Sequence, residues 1–337
     1  MEKKLDFKLA DVSTFVYEGY PLGIMSMHGD KYKEWMLSNY IQLNCHENIV
    51  EEKCVFLAFY GDIAINAPFI KKEHLCWSIL SQYKLDLVSF LKENIDLGCY
   101  LYLKLDEYYI PHREAYHNFH FLHDNLIIGY GEDYFIFVGY DENGFCSEKK
   151  ISIDAFLEGL ENNRPDINKN QWQDSIYFLR YAEADYAFNI KLVKTSLGDF
   201  LSSECSMDKI KQNSNPLEDT VFGVKIYDKV DEYLNILINK GNIFWGGINI
   251  DNRVFRIIME HKNLMFARMK MIQLKNGGVG DLLEQYQKTN KLATAMHYTA
   301  IKYQLSANKN LLNKLRDGIV QIKQDDVRIL GELYKRI

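Results

Sequence analysis

The sequence predicts an α+β fold, an antiparallel meander with helices ahead of it and a mostly helical region behind it. Three observations predict it. CYLYLKLDEYYIP, from Cys99 to Pro111, alternates Leu101, Leu103 and Leu105 with Tyr102 and Lys104, the period of a half-buried strand. Two more apolar runs, Asn125 to Tyr130 and Tyr134 to Gly139, are joined by Gly131-Glu132-Asp133 and followed by the turn Asp141-Glu142-Asn143-Gly144. From about Val221 the apolar period changes from two to three-and-four, as helices require.

In chain order, Ile24 to Gln42 carries apolar residues at Ile24, Met27, Trp35, Leu37 and Ile41 and predicts one or two helices broken near His28-Gly29-Asp30. Lys84 to Asn94 has helical spacing at Leu85, Val88 and Leu91, with Gly98 as its stop. Asn162 to Asn170 is polar with one proline and predicts a linker, which divides the chain into 1–163 and 164–337. Phe188 to Leu201 is expected to supply a hairpin or a strand-to-helix step. Val254, Ile257, Ile258, His261, Leu264, Met265, Arg268, Met269 and Ile272 line one helix face. Two amphipathic runs, Leu282 to Leu305 and Leu311 to Leu333, complete a helical bundle or lid.

The totals narrow the function. With 337 residues, 47% of them apolar, the chain has ample material for a core. A formal charge of −6 without a basic block argues against a nucleic-acid partner. MEKKLDFKLADVS has no apolar core of signal-peptide length, and no stretch approaches the roughly 20 apolar residues that cross a bilayer, so a cytoplasmic protein without a membrane partner is expected. Six scattered cysteines form no CxxC pair, which suggests neither a zinc knuckle nor a disulfide framework.

The residues that could do chemistry cluster around His123. A histidine at the start of one strand can be oriented by an Asp presented after the adjoining strand, and His123 and Asp141 span such a hairpin. Asp141 also suits a plain turn residue of Asp-Glu-Asn-Gly, and Asp124 suits strand entry better than orientation of a base. No nearby Cys or Glu completes a good tetrahedral set with His112, His117, His120 and His123, so no metal is expected. His261 lacks the second histidine of a metalloprotease helix.

WMLSNYIQLNC (Trp35 to Cys45) and DEYYIPHREAYHNFHFLHDNLIIGYG (Asp106 to Gly131), with the His123-to-Asp141 hairpin, resemble a papain-like, C39-peptidase-like family related to the N-terminal domain of the butirosin biosynthesis acyltransferase. The family includes carrier-protein-dependent amide synthases such as that of closthioamide assembly. The resemblance covers roughly the first 160 residues and, loosely, the helical remainder. It implies a papain-like cysteine-enzyme fold acting in antibiotic biosynthesis on a phosphopantetheine thioester. The implied partners are an acyl or peptidyl carrier protein and a small amine, with no other cofactor.

The family also implies a cysteine at the N-terminus of the helix that opens the domain, where the dipole and the His lower the thiol pKa. In YEGYPLGIMS that place falls on Gly19, with Pro21 in the first turn, or on Gly23 in a shifted alignment. Neither carries a thiol. The chain is then a form lacking its nucleophile, a non-catalytic binding or immunity protein, or an enzyme using Cys45 beside His46. A plain cysteine peptidase is a further reading. In the acyltransferase reading Gly19, His123 and Asp141 mark the catalytic positions, and His120, Tyr20 and Tyr109 line the substrate.

Overall fold

The computed structural model describes all residues except 1, 62, 81, 84, 142–144, 163–174, 207–218 and 245–248, and the side chains of Trp77 and Ser78. The strands are β1 (Lys3–Lys4), β2 (Leu43–His46), β3 (Ala58–Phe59), β4 (Ile70–Cys76), β5 (Tyr100–Asp106), β6 (Leu122–Tyr130), β7 (Tyr134–Tyr140), β8 (Cys146–Ser152), β9 (Ser175–Tyr181) and β10 (Thr220–Phe222). The helices are α1 (Val16–Ser26), α2 (Tyr32–Asn39), α3 (Trp77–Leu80), α4 (Leu87–Asp96), α5 (Ile153–Glu161), α6 (Ile190–Ser202), α7 (Ile226–Lys240), α8 (Asn252–Lys275), α9 (Gly280–Ser306), α10 (Asn310–Asp325) and α11 (Gly331–Arg336), the last two joined by a π-helical turn, Asp326–Leu330. This is an α+β protein.

The chain forms two compact units that interleave in sequence: Met1–Tyr32 with Ala64–Asp185, and Lys33–Ile63 with Tyr186–Ile337. The division expected at 163 and 164 differs from this. β9 lies beyond it, yet completes the sheet of the first unit by pairing with both β4 and β5. Residues 163–170 of the expected linker lie outside the described residues, and Asn162 caps the C-terminus of α5.

Among the described residues the first unit holds an antiparallel sheet ordered β4-β9-β5-β6-β7-β8, with β1 beside the far end of β6. β5 is buried on both faces because helices cover both. Leu101, Leu103 and Leu105 point into a cluster with Leu91 and Ile95 of α4, Phe156 and Leu160 of α5, and Phe135 and Phe137 of β7. Tyr102 points to the opposite face, where Tyr20 of α1 meets it edge-on at 5.9 Å. α4 starts where the Asp86 carboxylate accepts from Ser89 N, 3.1 Å, and stops before Gly98, whose φ of 84° a side chain would strain.

In the second unit Phe188 to Leu201 resolves as α6, N-capped by Asn189 through Leu192 N at 3.0 Å. The short sheet β10-β2-β3 lies with helices α7 to α10, which pack α8 on α9, α9 on α10 and α10 on α7. Their centre is polar. Asp326, fully buried, accepts from Tyr227 Oη (2.6 Å), Tyr286 Oη (2.9 Å) and Lys262 Nζ. Lys262 Nζ also contacts His261 Nδ1 at 2.9 Å, and His261 Nε2 meets Ile41 O at 2.9 Å. Arg268, equally buried, donates to Leu37 O and Tyr40 O, each at 2.6 Å, and so satisfies carbonyls at the end of α2.

Burial, and Lys262 beside it, hold the His261 imidazole well below its ordinary value. The folded chain then binds this proton only far below pH ~6.5, where the unfolded chain binds it readily, so stability is full above that pH and falls below it. The slope is at most about 1.4 kcal/mol per pH unit. Between pH 7.5 and 5.0, urea unfolding should show the wild type losing about 2 kcal/mol more than His261→Gln, which keeps a donor for Ile41. Equal losses would contradict a neutral buried imidazole.

Candidate functional site

The hairpin between β5 and β6 builds the site. Leu105 pairs with His123 and Asp106 with Leu122, and Glu107 N extends the ladder to Phe121 O at 2.8 Å. The chain turns at Glu107–Tyr109, a single 3-10 turn, and then loops out to Phe121. Asp106 closes that loop: its Oδ1 accepts from Tyr108 N and Phe121 N, both 3.1 Å. His112 and His117 sit in this loop at φ 66° and 54°, a conformation that histidine tolerates better than most residues.

Two histidine-carboxylate pairs result. His120 Nδ1 lies 2.6 Å from Asp106 Oδ2, with the histidine side chain 66% exposed and the carboxylate 9%. His123 Nδ1 lies 3.0 Å from Glu107 Oε1, at 30% and 7%. A carboxylate at Nδ1 holds the ring proton there and leaves Nε2 with its lone pair, the state a general base needs. Tyr108 stacks on His120 at 4.4 Å and Phe121 on His123 at 5.1 Å, which restrains both rings.

Arg113 underlies the second pair. Its Nε lies 3.2 Å from Glu107 Oε1 but without hydrogen-bond alignment, so the contact is an ion pair rather than a directed bond. Nη2 donates to Asn125 Oδ1 at 2.5 Å, Nη1 donates to Tyr140 O, and the guanidinium covers the Phe137 ring at 4.8 Å. Asn125 Nδ2 in turn donates to the His123 carbonyl at 2.9 Å. A Cβ on Gly139 would overlap the guanidinium, so this glycine is the opening through which Arg113 reaches β7.

The expected triad is not assembled. β-strand side chains alternate between faces, and His123 shares the face of its partner Leu105, whereas Asp124 shares that of Tyr102, whose hydroxyl it accepts at 2.9 Å. α1 packs on the Tyr102 face, so Gly19 and His123 lie on opposite sides of the sheet. α1 also begins earlier than expected. Phe15 is its N-cap, Gly19 N already donates to Phe15 O at 3.0 Å, and Pro21 lies inside the helix rather than in its first turn. A Cβ at Gly19 would come 3.0 Å from Ser13 Cβ, and one at Gly23 would come 2.7 Å from Lys8 O and 2.6 Å from the Phe7 ring.

Asp141 faces its own turn instead of His123. Its carboxylate accepts from Phe145 N at 3.0 Å and Ser147 Oγ at 3.4 Å and has Lys149 Nζ at 3.6 Å. Tyr20 is fully buried, donates to Val138 O at 2.9 Å, and burial pushes its hydroxyl well above the ordinary range, so it presents nothing to a substrate. Tyr109 is half-buried with its ring 6.0 Å from that of His120, and borders the exposed pair. Cys45 lies in β2, not at a helix end, and burial pushes its thiol up to about 12, which silences it as a nucleophile. Among the described residues no group of three or more His, Cys, Asp or Glu is placed to hold a metal.

No protein-family model matches this sequence, and no curated protein matches it.

Asp106, Glu107, Arg113 and Asn125 were absent from the sequence-level candidates. Their signal was nevertheless present: consecutive carboxylates at the end of an alternating strand, followed by a loop whose return strand begins with histidine. Gly139→Ala and Gly23→Ala should each lower the unfolding free energy in urea by about 1–3 kcal/mol, since each inserts a methyl group where atoms already stand. Unchanged unfolding midpoints would refute the packing on which both arguments rest.

Proposed function

We propose that the first unit carries a general-base site that moves an acyl group from a carrier-bound thioester to a small amine, without an enzyme thiol. The observation that carries this reading is His123 held at Nδ1 by Glu107 and partly open to solvent, with Nε2 free. The amine nitrogen attacks the thioester carbonyl, and His123 Nε2 takes the N–H proton. The C–S bond then breaks, and the departing thiolate receives that proton from the imidazolium. The phosphopantetheine thiol and the amide are the products, and hydrolysis is the side reaction. The substrate is the carrier's phosphopantetheine thioester, and natural-product assembly is the setting.

A papain-like fold belongs to this reading. A helix ahead of an antiparallel sheet whose second hairpin carries His123 and Asp141 supports it, while the placement of α1 behind the sheet removes position 19 from the chemistry. Tyr109 stands beside exposed His120, and exposed Phe119 and Phe121 offer apolar surface to an acyl chain. No helix among the described residues is long and apolar enough to cross a membrane.

A second reading is a non-catalytic protein that binds the acylated carrier. The absence of space for a side chain at Gly23, and its tightness at Gly19, favour it. Incubation with an acyl-pantetheine thioester and a primary amine separates the two. Amide should form with the wild type and fall by about 10²–10⁴ in His123→Asn, and Gly19→Cys should carry no acyl adduct by mass spectrometry. Tight carrier binding without amide favours the binder, and an acylated Gly19→Cys would restore the thiol route.

A further inference from the structure

We infer that Arg113 is the positioning residue that fixes where the proton sits on His123. The inference rests on the reading of His123 as a base. Four contacts form a closed ring: His123 Nδ1 to Glu107 at 3.0 Å, Glu107 to Arg113 Nε at 3.2 Å, Arg113 Nη2 to Asn125 at 2.5 Å, and Asn125 Nδ2 to His123 O at 2.9 Å. The imidazole and the main chain of His123 are thereby referenced to one guanidinium. Nη1 adds the Tyr140 carbonyl of β7, so the spacing of β6 and β7 is tied to the same group.

The charge matters as much as the geometry. Glu107 is 7% exposed, and Arg113, 1% exposed, is the cation beside it. With the guanidinium present the carboxylate stays an acceptor, receives Nδ1–H and leaves Nε2 bare. With a neutral residue at 113, no cation holds the Glu107 carboxylate in place at Nδ1, and the imidazole is released to carry its proton on Nε2 instead. A proton on Nε2 abolishes the base. A lysine at 113 keeps the charge but loses the fork to Asn125 and Tyr140.

The test uses the full chain labelled with ¹⁵N-histidine. Two-bond ¹H–¹⁵N spectra are recorded at a pH where the wild-type His123 ring is neutral, and its signals are assigned by their loss in His123→Asn. The wild type should show the proton on Nδ1, Arg113→Gln should show Nε2 protonated, and Arg113→Lys should keep Nε2 bare. Thioester aminolysis should fall about a hundred- to ten-thousand-fold in kcat for Arg113→Gln with KM little changed, and recover in part for Arg113→Lys. A bare Nε2 in folded Arg113→Gln overturns the inference. If that variant does not fold, Arg113→Lys decides: Nε2 protonated despite the retained charge overturns the inference, and Nε2 bare supports it. A wild type without aminolysis sinks the acyl-transfer reading, while the spectra still judge Arg113.

Discussion

A guanidinium buried between two strands is the constraint on which the first unit depends. Arg113 lies where β6 and β7 stop pairing: the register runs to Leu126 opposite Val138, and the next positions are bridged by the Arg113 side chain reaching Asn125 and Tyr140. Taking such a charge out of water costs several kcal/mol, offset as far as its donors find acceptors and a counter-charge is at hand; Nε has the charge of Glu107 beside it but no aligned bond. Glu107 supplies the charge, Asn125 and Tyr140 the acceptors, Phe137 a ring face, and Gly139 the room. Removing one partner of a buried pair of this kind costs about 3–5 kcal/mol. His123 is mounted on this assembly.

The second unit solves the same problem with different parts. Lys262 and Asp326, both fully buried, are surrounded by the Tyr227 and Tyr286 hydroxyls and by a neutral His261. Hydrophobic residues of similar volume would pack there at no electrostatic cost, so the buried pair is not by itself a source of strength. It joins α7, α8, α9 and the end of α10 through one carboxylate. The π-helical turn begins at that residue.

The sheet was legible where a single period of two ran uninterrupted. Leu101, Leu103 and Leu105 fixed the face of β5, and Gly98 marked the end of the helix before it because only a residue tolerant of positive φ fits there. α1 was harder. VYEGYPLGIMS contains two glycines and a proline, all marks of interruption, and the helix persists because nine of its residues are buried against neighbours. The interleaving of the two units left no local trace, since β2, which pairs locally with β3, finds its other partner β10 far along the chain. Pairing at that separation is set by tertiary packing, not by composition.

The carboxylate at His123 Nδ1 comes from the end of β5 and not from β7 for a geometric reason. A residue at the start of β6 is flanked both by the end of β5 and by the end of β7. Asp141 after β7 and Asp106-Glu107 after β5 are equally close in the pairing pattern, and sequence spacing alone does not choose between them. What chooses is Arg113. It enters on the face that His123 shares with Leu105 and stands beside Glu107, while the Asp141 carboxylate is taken by Phe145 N and Ser147 Oγ and the face toward α1 presents Asp124 and the hydroxyl of Tyr102. A shift of one residue along β6 would turn the imidazole to α1 and away from its carboxylate. As the strand stands, His123 and α1 are separated by the sheet, so on the proposed reading a nucleophile activated by His123 comes from the hairpin side instead of from α1.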